Sequence, residues 1–282
     1  MKEKTKFIAF LIFKIIKYSN NILFFFFKRN FIFSLLKYLQ GDIFKIKLSQ
    51  KKELLIYNTS ETINWRVNRF FTNEPEILDW IDSFKKFNGK IVFWDIGANI
   101  GIYSLYAAAI HNKISVFSFE PSIKNLLPLL KNILINKLFK KINIINNPIS
   151  NTSLVLENMF EKSLDEGSAL NFFNTKKDNK GKKHNNNIGY KLLSLNIDEL
   201  IKRKSIEIPN YIKIDVDGNE HLILKGANKT LNNKKIKEIY IEINQKYYQQ
   251  KKVILDILKR KKFKIVKKFQ KKNSTYNYIF KR

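Results

Sequence analysis

Val92-Phe93-Trp94-Asp95-Ile96-Gly97-Ala98-Asn99-Ile100-Gly101 decides how this chain is read. An apolar, β-type run meets an acidic residue. A Gly-x-Asn-x-Gly turn follows, and then a helix-like stretch, Ile102 to Ile110. That order is the first strand–turn–helix unit of a nucleotide-type α/β fold. Gly97 and Gly101 let the backbone turn and approach a ligand with no Cβ in the way. The helix start leaves N–H groups without intrahelical partners.

Two ligand classes use such a unit. A dinucleotide site wants Gly-x-Gly-x-x-Gly, so that a pyrophosphate can rest on bare backbone at the helix start. Here Asn99 and Ile102 stand at the second and third glycine positions, so that pattern fails. Asp95 before the turn would repel a pyrophosphate and would suit a cationic ligand with an amino group, such as S-adenosylmethionine. The plainer alternative is an ordinary βα turn with Asn99 as helix N-cap. The next apolar run, Ile114 to Phe119, ends at Glu120-Pro121. A carboxylate at the end of a second strand can accept hydrogen bonds from ribose hydroxyls. Asp95 and Glu120 fall at equivalent ends of adjacent predicted strands, where open α/β sheets bind ligands.

From residue 90 onward strands and helices alternate, which predicts an α/β fold with a doubly wound, mostly parallel sheet. Strands are expected at 91–95, 114–119, 142–146, 211–216 and 237–243, with helices near 100–110, 123–136, 219–231 and 246–260. Two late β-rich runs, 263–269 and 275–281, suit a terminal hairpin on the sheet edge. Residues 1–88 read as an N-terminal extension of apolar and basic helices and short strands, and 89–282 as the main domain. Residues 150–196 break the rhythm, with a Lys/Asn-rich tract near 174–187 expected as a mobile insertion.

A second acidic cluster lies at Tyr211-Ile212-Lys213-Ile214-Asp215-Val216-Asp217-Gly218-Asn219-Glu220. A buried strand ends in carboxylates that would gather at the same sheet edge as Asp95 and Glu120. Like charges so close raise one another's pKa, which can make one a general base. Against this, Asp217 and Glu220 fit the spacing of a helix capping box.

Composition narrows the chemistry. With 282 residues and 44% hydrophobic content the chain can build a sizeable core. The absence of cysteine excludes disulfides, thiolate metal sites and cysteine nucleophiles, and three histidines argue against a histidine-based zinc site. The net charge of +29 invites a nucleic-acid reading. The lysines, however, are spread along the chain rather than gathered in one stripe, as on a solvated basic surface. At the N-terminus, Phe7 to Phe13, Ile22 to Phe27 and Phe31 to Leu36 are strongly apolar, but Lys14, Lys17, Lys28 and Arg29 interrupt them. No uninterrupted run reaches the roughly 18 residues of a spanning helix. No small-residue cleavage site follows Phe13, against a secretory signal. Residues 7–36 could lie at a membrane interface, pack on the domain or meet another subunit. A cytoplasmic protein, peripheral at a membrane if that first alternative holds, is the expectation.

Together these motifs resemble the FkbM-type methyltransferase family. The likeness rests on Phe93 to Gly101, on Phe119-Glu120-Pro121, and on Ile212 to Glu220 with Leu224-Lys225-Gly226-Ala227. Ile197-Asp198-Glu199-Leu200 and Ile241-Glu242-Ile243 also match, so about residues 70–280 are covered. The chain departs from the family at Asp217, usually Glu, and at Asn219, usually Ala. The resemblance implies a class I, Rossmann-like fold with an antiparallel last strand, S-adenosylmethionine as cofactor, and O-methylation of a glycan or natural-product hydroxyl. It would place Asp95, Gly97, Asn99 and Gly101 at the methionine end of the cofactor, Glu120 at the ribose and Asp215 near the transferred methyl.

The sequence-level mechanism makes Asp215 the base or the residue orienting the acceptor, with Glu220 or Glu242 in reserve and no metal ligand set. His221 reads as a surface or core-edge histidine. A nucleic-acid methyltransferase would explain the charge, but base-extruding enzymes stack the base on apolar or aromatic groups, and Asp215 to Gly218 offers no aromatic. A membrane-surface scaffold would require the cofactor site to be vestigial. An NAD-dependent oxidoreductase is opposed by Asn99.

Overall fold

The computed structural model describes residues 2–39, 42–169, 171–173, 188–272 and 274–282. The tract expected as a mobile insertion, 174–187, lies outside the described residues. The chain begins with two helices, α1 (Lys2–Phe27) and α2 (Phe31–Leu39), then a hairpin of β1 (Ile43–Ser49) and β2 (Lys52–Tyr57), then α3 (Glu61–Asn68) and α4 (Pro75–Ser83). The first α/β units follow as β3 (Ile91–Ile96), α5 (Ile102–Ile110), β4 (Ile114–Phe119), α6 (Ile123–Ile135) and β5 (Ile142–Ile145). An inserted sheet of β6 (Leu156–Glu161), β7 (Phe172–Phe173) and β8 (Ile188–Leu193) comes next, then α7 (Ile197–Lys202) and β9 (Tyr211–Ile214). The chain closes with α8 (Glu220–Gly226), β10 (Glu238–Asn244), α9 (Tyr248–Arg260), β11 (Lys264–Lys272) and β12 (Thr275–Lys281).

The main sheet has seven strands in the order β11-β12-β10-β9-β3-β4-β5. Strands β5, β4, β3, β9 and β10 pair in parallel, and β12 runs antiparallel to both β10 and β11. This is the doubly wound Rossmann-like arrangement with antiparallel pairing at the end. A parallel sheet covered on both faces needs strands that are apolar throughout, and every residue of β3 and β4 is buried. Successive residues serve opposite layers. Ile91 and Phe93 join a core with α4, α5 and α6, whereas Val92, Trp94 and Ile96 join one with α7, α8 and α9. Each large apolar side chain buried this way contributes roughly 1.5–3 kcal/mol.

The segment before residue 89 shares the first core. Ile46, Leu54, Ile56, Ile63, Val67 and Phe70 pack in the same cluster as Phe93 and Leu105. Asn132 of α6 and its C-cap Asn136 accept hydrogen bonds from the Tyr57 and Leu55 amides respectively, tying β2 to the main fold. Among the described residues, α1 and α2 contribute none to that core. Asn20 closes their hairpin by accepting from the Ile32 amide at 2.8 Å and donating to Asn30 at 3.3 Å.

Two expected elements differ. The helix expected over 219–231 stops at Gly226, and a short 3₁₀ turn follows at Thr230–Asn232. The helix end packs directly on the chain, since a Cβ on Gly226 would meet the Ser150 carbonyl oxygen at 2.1 Å. Strand β9 ends at Ile214 because its partner β3 ends opposite it at Ile96.

Candidate active site

The in-register strands β4, β3 and β9 end side by side, Phe119 beside Ile96 and Ile96 beside Ile214. Their following turns open on a cavity of about 350 Å³, within the ~300–1,000 Å³ typical of small-molecule sites. The turn after β3 forms its floor. Gly97 has φ +84°, and a Cβ there would lie 1.9 Å from the Asp215 carbonyl oxygen, so the turns after β3 and β9 touch through bare backbone. Asn99 adopts φ +53°, a left-handed conformation that asparagine tolerates better than most residues. The helix N-cap is Gly101 and it has no side-chain cap bond, so Asn99 is not the cap of α5. Its side-chain amide donates to the Ser168 carbonyl at 3.2 Å instead.

Glu120 borders this turn. Its carboxylate accepts from the Asn99 amide at 2.6 Å and from the Ser122 amide at 2.9 Å. Burial pushes its carboxyl up to about 7, against the pull of those two amides. Gly97, Asn99 and Glu120 all line the cavity, as does Asp215. Gly101 lies just behind the lining, where it starts α5.

Asp95 takes a different place from the one expected. It is fully buried and does not line the cavity. The register sets Asp95 opposite Lys213 of β9. Its carboxylate lies 3.0 Å from the Lys213 ammonium and accepts from Ser104 Oγ at 2.7 Å. Lys213 donates in turn to the Gly97 carbonyl at 3.2 Å. Burial would lower the Lys213 pKa, but Asp95 and Asp215 raise it, so the ammonium persists. Asp95 therefore anchors the glycine turn from beneath, through Lys213, and does not offer its carboxylate to a ligand. Alternation along β3 is the reason: Asp95 points to the same side as Phe93, toward α5.

The two reserve carboxylates also lie off the cavity. Glu220 accepts from the Gly218 amide at 3.1 Å and the Val216 amide at 3.3 Å, so it serves the turn into α8. The N-cap of that helix is Asn219, so the capping box expected from Asp217 is not the one formed. Burial pushes the Glu220 carboxyl up to about 7. Glu242 stands behind the cavity, 2.5 Å from the Lys271 ammonium. Burial, with Asp215 adding to it, pushes its carboxyl up to about 8. His221 also stays out of the cavity lining.

Asp215 and Asp217 of the second cluster both line the cavity, and Asp215 meets cations there. Its carboxylate is 3.8 Å from Lys271. Burial alone would raise its pKa, but Lys271, Lys213 and Arg66 outweigh burial and hold it below the usual carboxylate range. Asp215 is thus ionised throughout the physiological range.

Several lining residues escaped the sequence reading. Helix α3 and the turn after it bring Trp65, Arg66, Arg69, Phe70 and Glu74, and β7 brings Phe173. The cavity therefore does hold aromatic side chains, contrary to what the stretch Asp215 to Gly218 suggested by itself. Lys213 had one legible signal, a lone charge in an otherwise apolar strand. Lys271 had none, because it sits in a lysine-rich run.

The residues present fit S-adenosylmethionine. Asn219 lines the cavity, and its Oδ1 is buried with no hydrogen-bond partner, an acceptor left for a ligand amine or hydroxyl. Phe119, Ile149, Met159 and Ile223 supply apolar wall for a flat base, and Glu120 retains carboxylate lone pairs for hydroxyls.

Comparison with known proteins agrees with this reading at the level of family. The profile of the Methyltransferase FkbM domain matches residues 95–265. No curated protein matches the chain. Among solved structures, methyltransferase FkbM from Methylobacillus flagellatus KT is similar at 16% identity and TM-score 0.45, over 67% of this chain and 43% of that one. The precorrin-6y C5,15-methyltransferase of Geobacter metallireducens GS-15 is similar at 11% identity and TM-score 0.43, over 73% and 87%. TrmK of M. capricolum, solved with S-adenosyl-homocysteine, is similar at 16% identity and TM-score 0.41, over 72% and 66%.

Proposed function

The chain belongs to the FkbM methyltransferase family, and we propose that it methylates a hydroxyl of a glycan, a lipid-linked sugar or a small natural product. S-adenosylmethionine is the methyl donor of this methyltransferase. When bound, the donor supplies a methyl group on a sulfonium, already a good leaving group. What remains for the protein is alignment and removal of a proton. Alignment can contribute several kcal/mol, within a ceiling of roughly 7–11. The observation that carries the reading is the ionised Asp215 carboxylate on the wall of the cavity at the strand ends. In this reading it takes the proton of an acceptor hydroxyl. Gly97 and Asn99 would hold the methionine end of the donor, Asn219 and the apolar wall its base, and Glu120 its ribose. Residues 89–282 form the catalytic unit in this reading, and α3 and α4 close its cavity.

Calorimetry and mass spectrometry test it. The full chain should bind S-adenosylmethionine, and glycans or lipids of cells making it should gain methyl-sized mass shifts. Because Glu120 takes up a proton below about 7, donor affinity should weaken on acidification, by up to about tenfold per pH unit. Glu120→Gln should flatten that dependence. Absence of donor binding at pH 8 would sink the function, and a pH-independent wild type would remove Glu120 from the ribose site.

A nucleic-acid acceptor has one observation in its favour. Trp65 lines the cavity with Arg69 stacked over its ring at 5.3 Å, and a base can stack on such a surface. A sugar ring can use the same surface. Tight, steeply salt-dependent RNA binding would favour the base, and salt-insensitive methylation of saccharides the sugar.

For localisation, the same proposal sets α1 and α2 against a membrane. The lysines do not interrupt the helix. Lys4–Phe27 is one 24-residue stretch with an 18-residue window of mean hydropathy 1.5, long and apolar enough by length and composition to cross a membrane. It leaves Phe7, Phe10, Ile15, Phe25 and Phe26 exposed. Lys14 and Lys17 sit near its middle, where a spanning helix would bear roughly 2.5–3.5 kcal/mol for each. An interfacial position, with the lysines toward anionic headgroups, avoids that cost. The chain should sediment with vesicles containing phosphatidylserine, and replacing Phe7, Phe10, Phe25 and Phe26 by Ser should lower that binding about tenfold or more. Equal binding by the variant would refute the membrane contact.

A further inference from the structure

We propose that Lys271 is the built-in cation of the cavity, its ammonium filling the position among Glu74, Asp215 and Glu242 that a divalent metal ion would take and positioning Asp215 there. The inference rests on the reading of this cavity as the methyl-transfer site.

Three carboxylates from distant parts of the chain meet at this point. Glu74 caps α4, Asp215 follows β9, and Glu242 lies within β10. One oxygen from each lies within 4.8 Å of the others. Two like charges 4 Å apart repel by about 4 kcal/mol at an effective dielectric of 20, so such a cluster must take up a cation or a proton. Lys271 is that cation. Its ammonium lies 2.9 Å from Glu74, 2.5 Å from Glu242 and 3.8 Å from Asp215.

The backbone delivers it by a specific device. In the β11–β12 ladder Gln270 pairs with Tyr276 and Lys272 with Thr275, which leaves Lys271 as the extra, unpaired residue of a bulge. Bulges re-aim a side chain and are frequent beside active sites. The acceptors are fixed as well. Glu74 takes further hydrogen bonds from the Tyr103 hydroxyl at 2.8 Å and the Asn277 amide at 3.1 Å. Glu74, Asp215, Tyr103 and Lys271 all line the cavity. The surrounding carboxylates hold the ammonium protonated although burial opposes it.

Lys271 is thus a positioning residue. It does by a fixed charge what a metal would do by coordination, and it keeps Asp215 ionised at the wall. The test uses Mn²⁺ as the probe on the full chain, followed by the resonance of free Mn²⁺. Wild type and Lys271→Arg should show no Mn²⁺ bound at this cluster. Lys271→Ser should gain one site, about tenfold or more tighter than any binding by wild type, and Glu242→Gln added to it should remove that site. Lys271→Gln gives the same reading should the Ser variant not fold. Methyl transfer should fall in the Ser variant and recover in the Arg variant. Mn²⁺ bound by wild type and lost in Glu242→Gln would overturn the proposal, as would no gain in either neutral variant. Donor binding is measured alongside. A wild type that binds S-adenosylmethionine while the neutral variants gain no Mn²⁺ defeats this inference alone. A gain of Mn²⁺ with no donor binding defeats the function alone.

Discussion

Asp95→Ala is expected to lower the unfolding free energy by about 3–5 kcal/mol, the cost of leaving one member of a buried ion pair without its partner. The side chains of Asp95 and Lys213 are 0% and 2% exposed. Removing the carboxylate leaves the Lys213 ammonium in the interior with the Gly97 carbonyl, the Tyr103 ring at 5.7 Å and the more distant Asp215 and Glu74 charges, and takes from Ser104 the carboxylate acceptor it now has. Because Lys213 also holds the Gly97 carbonyl, the glycine turn should loosen and donor affinity should fall with stability. Urea unfolding followed by circular dichroism measures the first effect and calorimetry the second. Adding Lys213→Met should restore much of the lost stability, since an apolar pair of similar volume commonly replaces a buried ion pair without loss. A loss below 1 kcal/mol in the single variant, or no recovery in the double, would show that the pair does not anchor the turn.

That prediction inverts the role which the motif suggests for Asp95, and the inversion shows what the sequence carries. The order of strands and helices after residue 90 was legible because apolar runs of period two alternate with helical runs, a local signal. Glu120 and Asp215 at one cavity were legible for the same reason, since both follow parallel strands whose ends must adjoin. Asp95 was misplaced because strand-end position was read without strand-face alternation. It is the register that sets Lys213 across from Asp95. The aromatic and basic wall from α3, and Glu74 beside Lys271, were not legible. Trp65 is 32 positions from Gly97 and 150 from Asp215, and Glu74 is 197 from Lys271, and no periodicity reports a contact of that range. Lys271 depends on a bulge, one extra residue in a ladder, which a lysine-rich run does not reveal.

The second large effect is expected from Asp215→Asn, which should slow methyl transfer by about a hundred- to ten-thousand-fold, the range of a lost general base. The variant should fold. Lys271 keeps Glu74 and Glu242, and Lys213 keeps Asp95, so no cation is left unpaired. Loss of one of three crowded carboxylates also relieves repulsion. Donor affinity should change little, because Glu120, Asn99 and the apolar wall are untouched. The pH profile gives an independent check. The folded-state pKa of Asp215 is lowered, so its carboxylate stays ionised as pH falls, past the point where Glu120 has taken up its proton near 7. At saturating donor, wild-type turnover should therefore hold nearly level from pH 8 to below 6, while at low donor it should fall through 7 as Glu120 titrates. Transfer of labelled methyl from S-adenosylmethionine into saccharide and lipid extracts measures both. Turnover that survives Asp215→Asn with donor affinity and circular dichroism unchanged would mean that the proton leaves by another route, and that this carboxylate only tempers the charge of Lys271.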